Sequence, residues 1–271
     1  MIQTSGIFTG GGDGGKYKPY LTFRSPYTFT LSVATPGWNG TVEYSTDTET
    51  WTTWDGSQVS AALSSAGDDA GYYALYLRGT GNTIIVGVAT PNATGFTMNG
   101  MSIRCIGSIE TLLDYATVEA GGHPSMGEQC FRDLFTGCSA LVTAPDLPAT
   151  LLAQGCYYKM FADCAGLVTA PELPALTLPG NCYWYMFRNC TSLIFLPRIL
   201  ATESGSFACT AMFANCAKIK LSLENTGEYT QKYDIAITDT YGMFANTGGT
   251  FTDVYTENNP TYYVSNTNIV V

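Results

Sequence analysis

Nine cysteines, a single histidine and a glycine-rich opening are the features of this 271-residue chain that could do chemistry. Three cysteine pairs, Cys130/Cys138, Cys156/Cys164 and Cys182/Cys190, keep a C-x7-C spacing. Thiols in such pairs could ligate a metal or close disulfides. Zinc sites, however, commonly use pairs roughly two to four residues apart, often joined by His. A cysteine among apolar neighbours behaves as a small hydrophobe. The preferred reading is therefore a ladder of packed, reduced thiols, with a disulfide framework and then a metal site as the alternatives. Neither a cofactor nor a metal is expected. His123 lies in a Gly-Gly-His-Pro turn, with no motif signalling a nucleophile or orienting acid. A loop or cap contact is expected for it. Gly10 to Tyr17 imitates a phosphate loop, but Tyr17 stands where a metal-binding hydroxyl is required, and Pro19 denies the following helix. Asp47/Glu49 and Asp68-Asp69 fall in expected turns, where solvated carboxylates are the default. Their spacing is not that of an EF-hand. Two carboxylates can meet in any fold, so a carbohydrate-active enzyme stays as the competing class, although no catalytic residue is assigned.

Binding chemistry has better candidates. Tyr158, Trp184, Tyr185 and Tyr241 occupy variable positions of an otherwise regular pattern, beside Arg132-Asp133, Lys159, Thr210-Ala211 and Gly242. Positions that vary while a scaffold repeats are expected to face outward. Exposed rings commonly mark interfaces or sugar-stacking surfaces. The competing expectation is that these rings pack against the rest of the chain or a partner subunit.

The pattern itself has a period of 26. Phe135, Phe161, Phe187 and Phe213 recur at that spacing, as do Cys138, Cys164, Cys190 and Cys216. Leu141, Leu167, Leu193 and Ile219 follow in the same register, and a degraded copy recurs at Met243-Phe244 with Thr247 in place of Cys. In the second copy Cys156, Met160, Phe161 and Cys164 fall at i, i+4, i+5 and i+8, which predicts a short helix with one apolar face. Pro171 and Pro174 end it, and the segment from Leu167 to Leu173 reads as a strand and turn. One such unit cannot bury its own apolar face, so successive copies must stack. Their strands should form a short parallel sheet, leaving Phe, Cys and Leu as ladders.

The wording C-[YF]-x-x-[ML]-F-x-x-C-x-x-L-x-x-A-P-x-L-P, from Cys130 to Phe213, resembles the BspA-like leucine-rich repeats of surface proteins of gut and oral bacteria and their phages. Leu75 to Thr83 and Ile109 to Met126 are also similar to segments that accompany such repeats. The resemblance covers most of residues 20–247. It implies an adhesive or host-binding role without catalysis. The last copies depart from the pattern: Ala208 replaces Cys, Cys209 comes one residue late, and Lys220–Leu223 lacks Pro. A terminal cap is expected there.

Upstream, Tyr27, Phe29, Leu31 and Val33 alternate with polar residues, the mark of a half-buried strand. Val42 and Tyr44, then Trp51 and Trp54, flank the Asp47–Thr50 turn as a hairpin. Further strands are expected at Tyr73, Leu75 and Leu77 and over Ile84 to Val88, with turns such as Pro91-Asn92 between runs. The expected fold is α+β and mostly β: an amino-terminal antiparallel β-sandwich followed by a short leucine-rich-repeat solenoid of 26-residue repeats. The expected divisions are a flexible Gly-rich arm (1–19), the sandwich (20–107), the solenoid with an amino-terminal capping helix over Ile109 to Val118 (108–247), and a carboxyl-terminal cap or tail (248–271).

A hydrophobic fraction of 45% against 13% charged supplies a core and excludes a disordered polyelectrolyte. The net charge of −10, without a Lys/Arg cluster, disfavours nucleic acid. No run approaches the roughly 20 apolar residues of a membrane span. The opening MIQTSGIFTGGGDGGKYK does not read as a secretory leader. With the resemblance, this points to a virion component that meets a host-surface glycan or protein. A phage tail or head fibre or receptor-binding protein fits, with other virion proteins and a homo-trimer as expected partners. A bacterial cell-surface adhesin and a purely structural capsid or tail decoration are the alternatives.

Overall fold

The computed structural model describes residues 18–65, 67–86, 94–250, 261–268 and 270. Most of the expected arm, the Gly10–Tyr17 loop, Val88, Pro91-Asn92 and part of the expected tail lie outside them. Among the described residues the fold is mostly β, with one short α-helix and several open mixed or antiparallel sheets. In order come β1 (Leu21–Ser25), β2 (Thr30–Val33), β3 (Thr41–Ser45), β4 (Thr52–Thr53), β5 (Val59–Ser60), β6 (Ala62–Leu63), β7 (Tyr73–Thr80), β8 (Phe96–Asn99) and β9 (Ile103–Ile106). Then follow α1 (Thr111–Glu119), β10 (Leu141–Thr143), β11 (Thr177–Leu178), β12 (Glu203–Ser204), β13 (Lys220–Ser222), β14 (Tyr229–Tyr233), β15 (Gly248–Gly249) and β16 (Tyr262–Ser265).

Strands β1 to β9 build two sheets. One runs β10-β9-β1-β7-β3-β4, with β6 also on β7, and the other runs β5-β2-β8. The hairpin read around Asp47–Thr50 is the β3–β4 pair. Asp47 holds its turn by accepting from the backbone N–H groups of Glu49 and Thr50. Those donors keep its carboxyl below the usual range. The smaller sheet is antiparallel, but the larger one is mixed, because β10 of the repeat region joins β9 in parallel. A strand was expected over Ile84 to Val88; its described part supplies only an isolated bridge between Ile85 and Trp38.

Central strand β7 is buried on both faces, since α1 lies across it. Gly79 makes that approach possible: a Cβ there would stand 1.7 Å from the Leu112 carbonyl oxygen. The helix is broken at Asp114, whose φ of −153° and ψ of 101° leave helical space. Its carboxylate accepts from the Thr117 N–H at 2.9 Å and the Gly81 N–H at 3.0 Å, capping the second half of the helix.

Beyond the helix, parallel bridges link Thr143 to Thr169 and Thr169 to Phe195, one repeat period apart. The expected parallel sheet is thus reduced, among the described residues, to single rungs and the two-residue pairs β11–β12 and β13–β15. The helix expected in each copy is not formed. Instead, residues 154–163 are a run of turns in which Gly155, Tyr157, Lys159 and Asp163 have φ of 70°, 63°, 52° and 62°. Within the copy, Tyr158, Met160, Ala162 and Cys164 donate their N–H groups three residues back. Lys159, Phe161 and Asp163 donate forward, to Trp184, Met186 and Arg188 of the next copy. A helix would direct every donor along its own axis and leave none for a neighbour. The turn ribbon exchanges that bonding for lateral bonds between copies. Left-handed residues cost roughly 1–2 kcal/mol each, and the inter-copy bonds offset that cost.

Stacking completes the architecture. Phe135, Phe161, Phe187, Phe213 and Phe244 lie ring on ring, with centroids 5.3, 5.5, 5.4 and 5.3 Å apart. Edge-to-face contacts close the column, from Phe96 at its start and from Tyr233 and Tyr262 at its end. Leu141, Leu167, Leu193 and Ile219 are fully buried alongside. The column belongs to one hydrophobic core that extends from Leu21 to Val264.

Candidate functional site

Chemistry centred on the cysteines is disfavoured by their surroundings. All nine are buried and free of disulfides. Four of them form a ladder of sulfur donors: Cys138 to the Phe96 carbonyl, Cys164 to Phe135, Cys190 to Phe161 and Cys216 to Phe187, at 3.0–3.2 Å. Burial pushes the Cys156 thiol up to about 11 and those of Cys138, Cys182 and Cys216 up to about 12. Such thiols stay protonated near neutrality and are neither nucleophiles nor ready ligands. Among the described residues, no three His, Cys, Asp or Glu side chains are grouped to hold a metal.

His123 makes a specific contact. Its Nδ1 is 2.8 Å from Glu110 Oε2, while the Glu110 carboxyl is buried and its Oε1 finds no partner. Burial raises the Glu110 carboxyl above its ordinary range, and His123 partly opposes that. The expectation of solvated acids fails at Asp69. It is buried, paired with Arg24 at 3.0 Å and Lys18 at 3.5 Å, and accepts from the Tyr76 hydroxyl at 3.2 Å. Sheet packing places it under the β1 and β7 side chains, so it serves as an internal counter-ion.

The aromatic candidates divide. Tyr158, Trp184 and Tyr185 come together as one half-buried cluster. The ladder bonds Asp133 N–H to Tyr158, Lys159 N–H to Trp184, Tyr185 N–H to Thr210 and Ala211 N–H to Tyr241 set their register. Tyr241, the most exposed of the four, belongs to the same column but is separated from Trp184 by Thr210. Trp184 does not present a free face. It is stacked between Tyr185 at 5.3 Å and Phe207 at 5.2 Å, and meets Tyr158 edge-to-face at 5.4 Å. Its indole N–H is buried without a hydrogen-bond partner. Tyr185 rests in turn on Ala211, Ala214 and Ala245.

Cations cover the phenol rings. Arg132 lies 4.9 Å above Tyr158, Lys159 lies 5.2 Å from Tyr158 and 5.7 Å from Tyr185, and Arg188 lies 5.2 Å from Tyr185. The surface is therefore a sheet of cations backed by rings, with Phe207 as the most exposed of these rings, at 51%.

Phe207 escaped the sequence reading. It occupies the position of Gln129, Gly155 and Asn181, and like them has a left-handed backbone, with φ of 58°. A bulky residue there is unusual. Its N–H is tied to the Asp239 carboxylate. The signal was the replacement of Gly155 and Asn181 by an aromatic at the same register. A second missed feature is the row that precedes the repeat cysteines and Thr247. Asn189 donates to Asp163 at 2.6 Å, Asn215 to Asn189 at 2.6 Å and Asn246 to Asn215 at 2.9 Å. With Gly137, these are residue types that tolerate left-handed backbone, and all five have positive φ. No protein-family model, curated protein or solved structure matches this chain.

Proposed function

We propose that this protein is a non-catalytic recognition component of a phage virion, a fibre or receptor-binding part that contacts the host cell surface. On this reading the two amino-terminal sheets form a β-sandwich mount, and the repeats form a leucine-rich-type solenoid that presents one working edge. The observation that carries the reading is the cluster of Tyr158, Trp184, Tyr185 and Phe207 with Arg132, Lys159 and Arg188 over or beside its rings. Aromatic and Arg side chains concentrated at a surface are the composition of binding interfaces. Phe207 supports the same site as an exposed ring at the register position that Gln129, Gly155 and Asn181 hold in the other copies. The virion assignment rests on the resemblance of the repeat wording. Catalysis has weak support, because the repeat thiols are held protonated and Asp69 is consumed by its ion pairs. Among the described residues no helix is long and apolar enough to cross a membrane.

The test is competition. Purified protein should bind host bacteria and slow adsorption of the phage that encodes it, and Phe207→Asn should weaken both effects. Binding that is indifferent to Phe207→Asn and Tyr158→Ala would remove this edge from the proposal.

A further inference from the structure

We infer that the aromatic–cation edge takes an acidic polysaccharide, its carboxylates seated on Lys159 and Arg188. This rests on the recognition reading above and names its ligand class. Three observations carry it. First, the phenol rings do not offer bare faces: Lys159 stands over both Tyr158 and Tyr185, and Arg188 over Tyr185. A neutral sugar stacking on either ring must displace a cation, whereas an anion meets the cations first.

Second, the carboxylates nearby make their own contacts and none pairs with Lys159 or Arg188: one pairs with Arg132, and the other two keep their charge while taking neutral donors. Asp133 pairs with Arg132 at 3.0 Å, Asp163 accepts from Asn189, and Asp239 accepts from the Phe207 N–H and the Thr210 hydroxyl. Gln129 holds Arg132 further, at 2.7 Å. Lys159 and Arg188 enter no salt bridge among the described residues. Two cations held on rings outside any salt bridge, in a chain of net charge −10, are the positions at this edge where an added carboxylate can pair.

Third, the chain at this edge runs as turns rather than as a strand, and five of its backbone N–H groups are already engaged. Lys159, Tyr185 and Ala211 give their N–H groups to the next copy, while Tyr158 and Arg188 give theirs three residues back. An acidic peptide therefore has no strand edge to extend at this surface. Nucleic acid binding rests on many phosphate contacts, more than the two cations outside salt bridges at this edge provide. A flexible chain with spaced carboxylates and hydroxyls fits a shallow surface of cations, phenol groups and the exposed ring of Phe207.

The experiment measures binding of the full chain to polygalacturonate, alginate and hyaluronate, each beside its carboxyl-reduced form. Expected is binding of at least one acid form, roughly tenfold or more above its reduced form, that weakens between low and moderate salt. The double variant Lys159→Gln/Arg188→Gln should lose that preference while staying folded, with only the small drop in unfolding midpoint that loss of the ring contacts brings. Equal binding of acid and reduced forms, lost in Phe207→Asn, overturns the acidic ligand and leaves the recognition reading in place. Attachment to host cells abolished by protease but not by glycan removal replaces the polysaccharide with a protein partner. No binding to any polymer or to host cells overturns both readings.

Discussion

The indole of Trp184 lies nearly flat against the ring of Phe207, with centroids 5.2 Å apart and planes inclined by 21°. Because Tyr185 covers the other face, Trp184 is the middle of a three-ring stack and Phe207 its exposed end. The two residues should therefore separate binding from stability. Truncating the middle ring removes packing on both sides, so Trp184→Ala should destabilise by about 2–4 kcal/mol, toward the range for large buried aromatics. In Phe207→Asn, one ring contact worth about 0.5–1.5 kcal/mol is lost. Relief of left-handed strain, of similar size, offsets that loss. Chemical denaturation should show Phe207→Asn within about 1 kcal/mol of wild type by this balance. A loss comparable to that of Trp184→Ala would mean that Phe207 is a packing residue rather than a surface contact.

The phenylalanine column gives a second prediction. Phe161 is fully buried, with Phe135 at 5.3 Å on one face and Phe187 at 5.5 Å on the other. Phe161→Ala should cost about 3–5 kcal/mol, the range for deleting a buried ring. Phe161→Leu, which keeps most of the volume but not the stack, should cost clearly less. Urea midpoints of the two variants decide the matter, and a shift well under 1 kcal/mol for alanine would mean the ring is not in a packed column.

The thiol ladder predicts a reactivity pattern. All nine cysteines are buried, and desolvation raises every one of them above its ordinary range. Native protein at pH 8 should show almost no fast reaction with a thiol reagent, and denatured, unreduced protein should release all nine. Missing thiols after denaturation would restore the disulfide alternative; rapid labelling of the native state would show that the ladder opens.

Much of the carboxyl half was legible because stacking needs one residue type at one interval. Phe135 to Phe213 and Cys138 to Cys216 advertise their columns in the sequence, and they stack as spaced. The helix misread has a definite cause. Turns closing three residues back bury Cys156, Met160, Phe161 and Cys164 with nearly the same spacing as a helix, so apolar periodicity cannot tell them apart. The left-handed positions Gly137, Asp163, Asn189, Asn215 and Asn246 carried the distinguishing signal, since a helix does not ask for such residues at its heart. At the candidate edge, variation between copies located Tyr158, Trp184 and Tyr185. It could not show that Trp184 is covered by Tyr185 and Phe207, because adjacency across copies depends on the register of the ladder.

The Glu110–His123 pair predicts a pH dependence of stability. Burial raises the folded-state pKa of Glu110 above the ordinary 4.5, with His123 pulling the other way. For an acid raised on folding, the folded state holds its proton more tightly than the unfolded state. Below about 4.5 both states are protonated and the group imposes no penalty; as pH rises through the folded pKa, that favourable difference is lost. Glu110→Gln has no proton to lose and can still accept from His123. It should match wild type in acid and become increasingly more stable than wild type from above pH 4.5 toward neutrality. His123→Ala removes the group that draws the carboxyl down, so it should extend the wild-type loss to higher pH. Denaturant midpoints of the three proteins, taken across pH 4 to 8, give the comparison. A Glu110→Gln difference that does not change with pH would show that the carboxyl ionises in the folded chain as it does in the unfolded one.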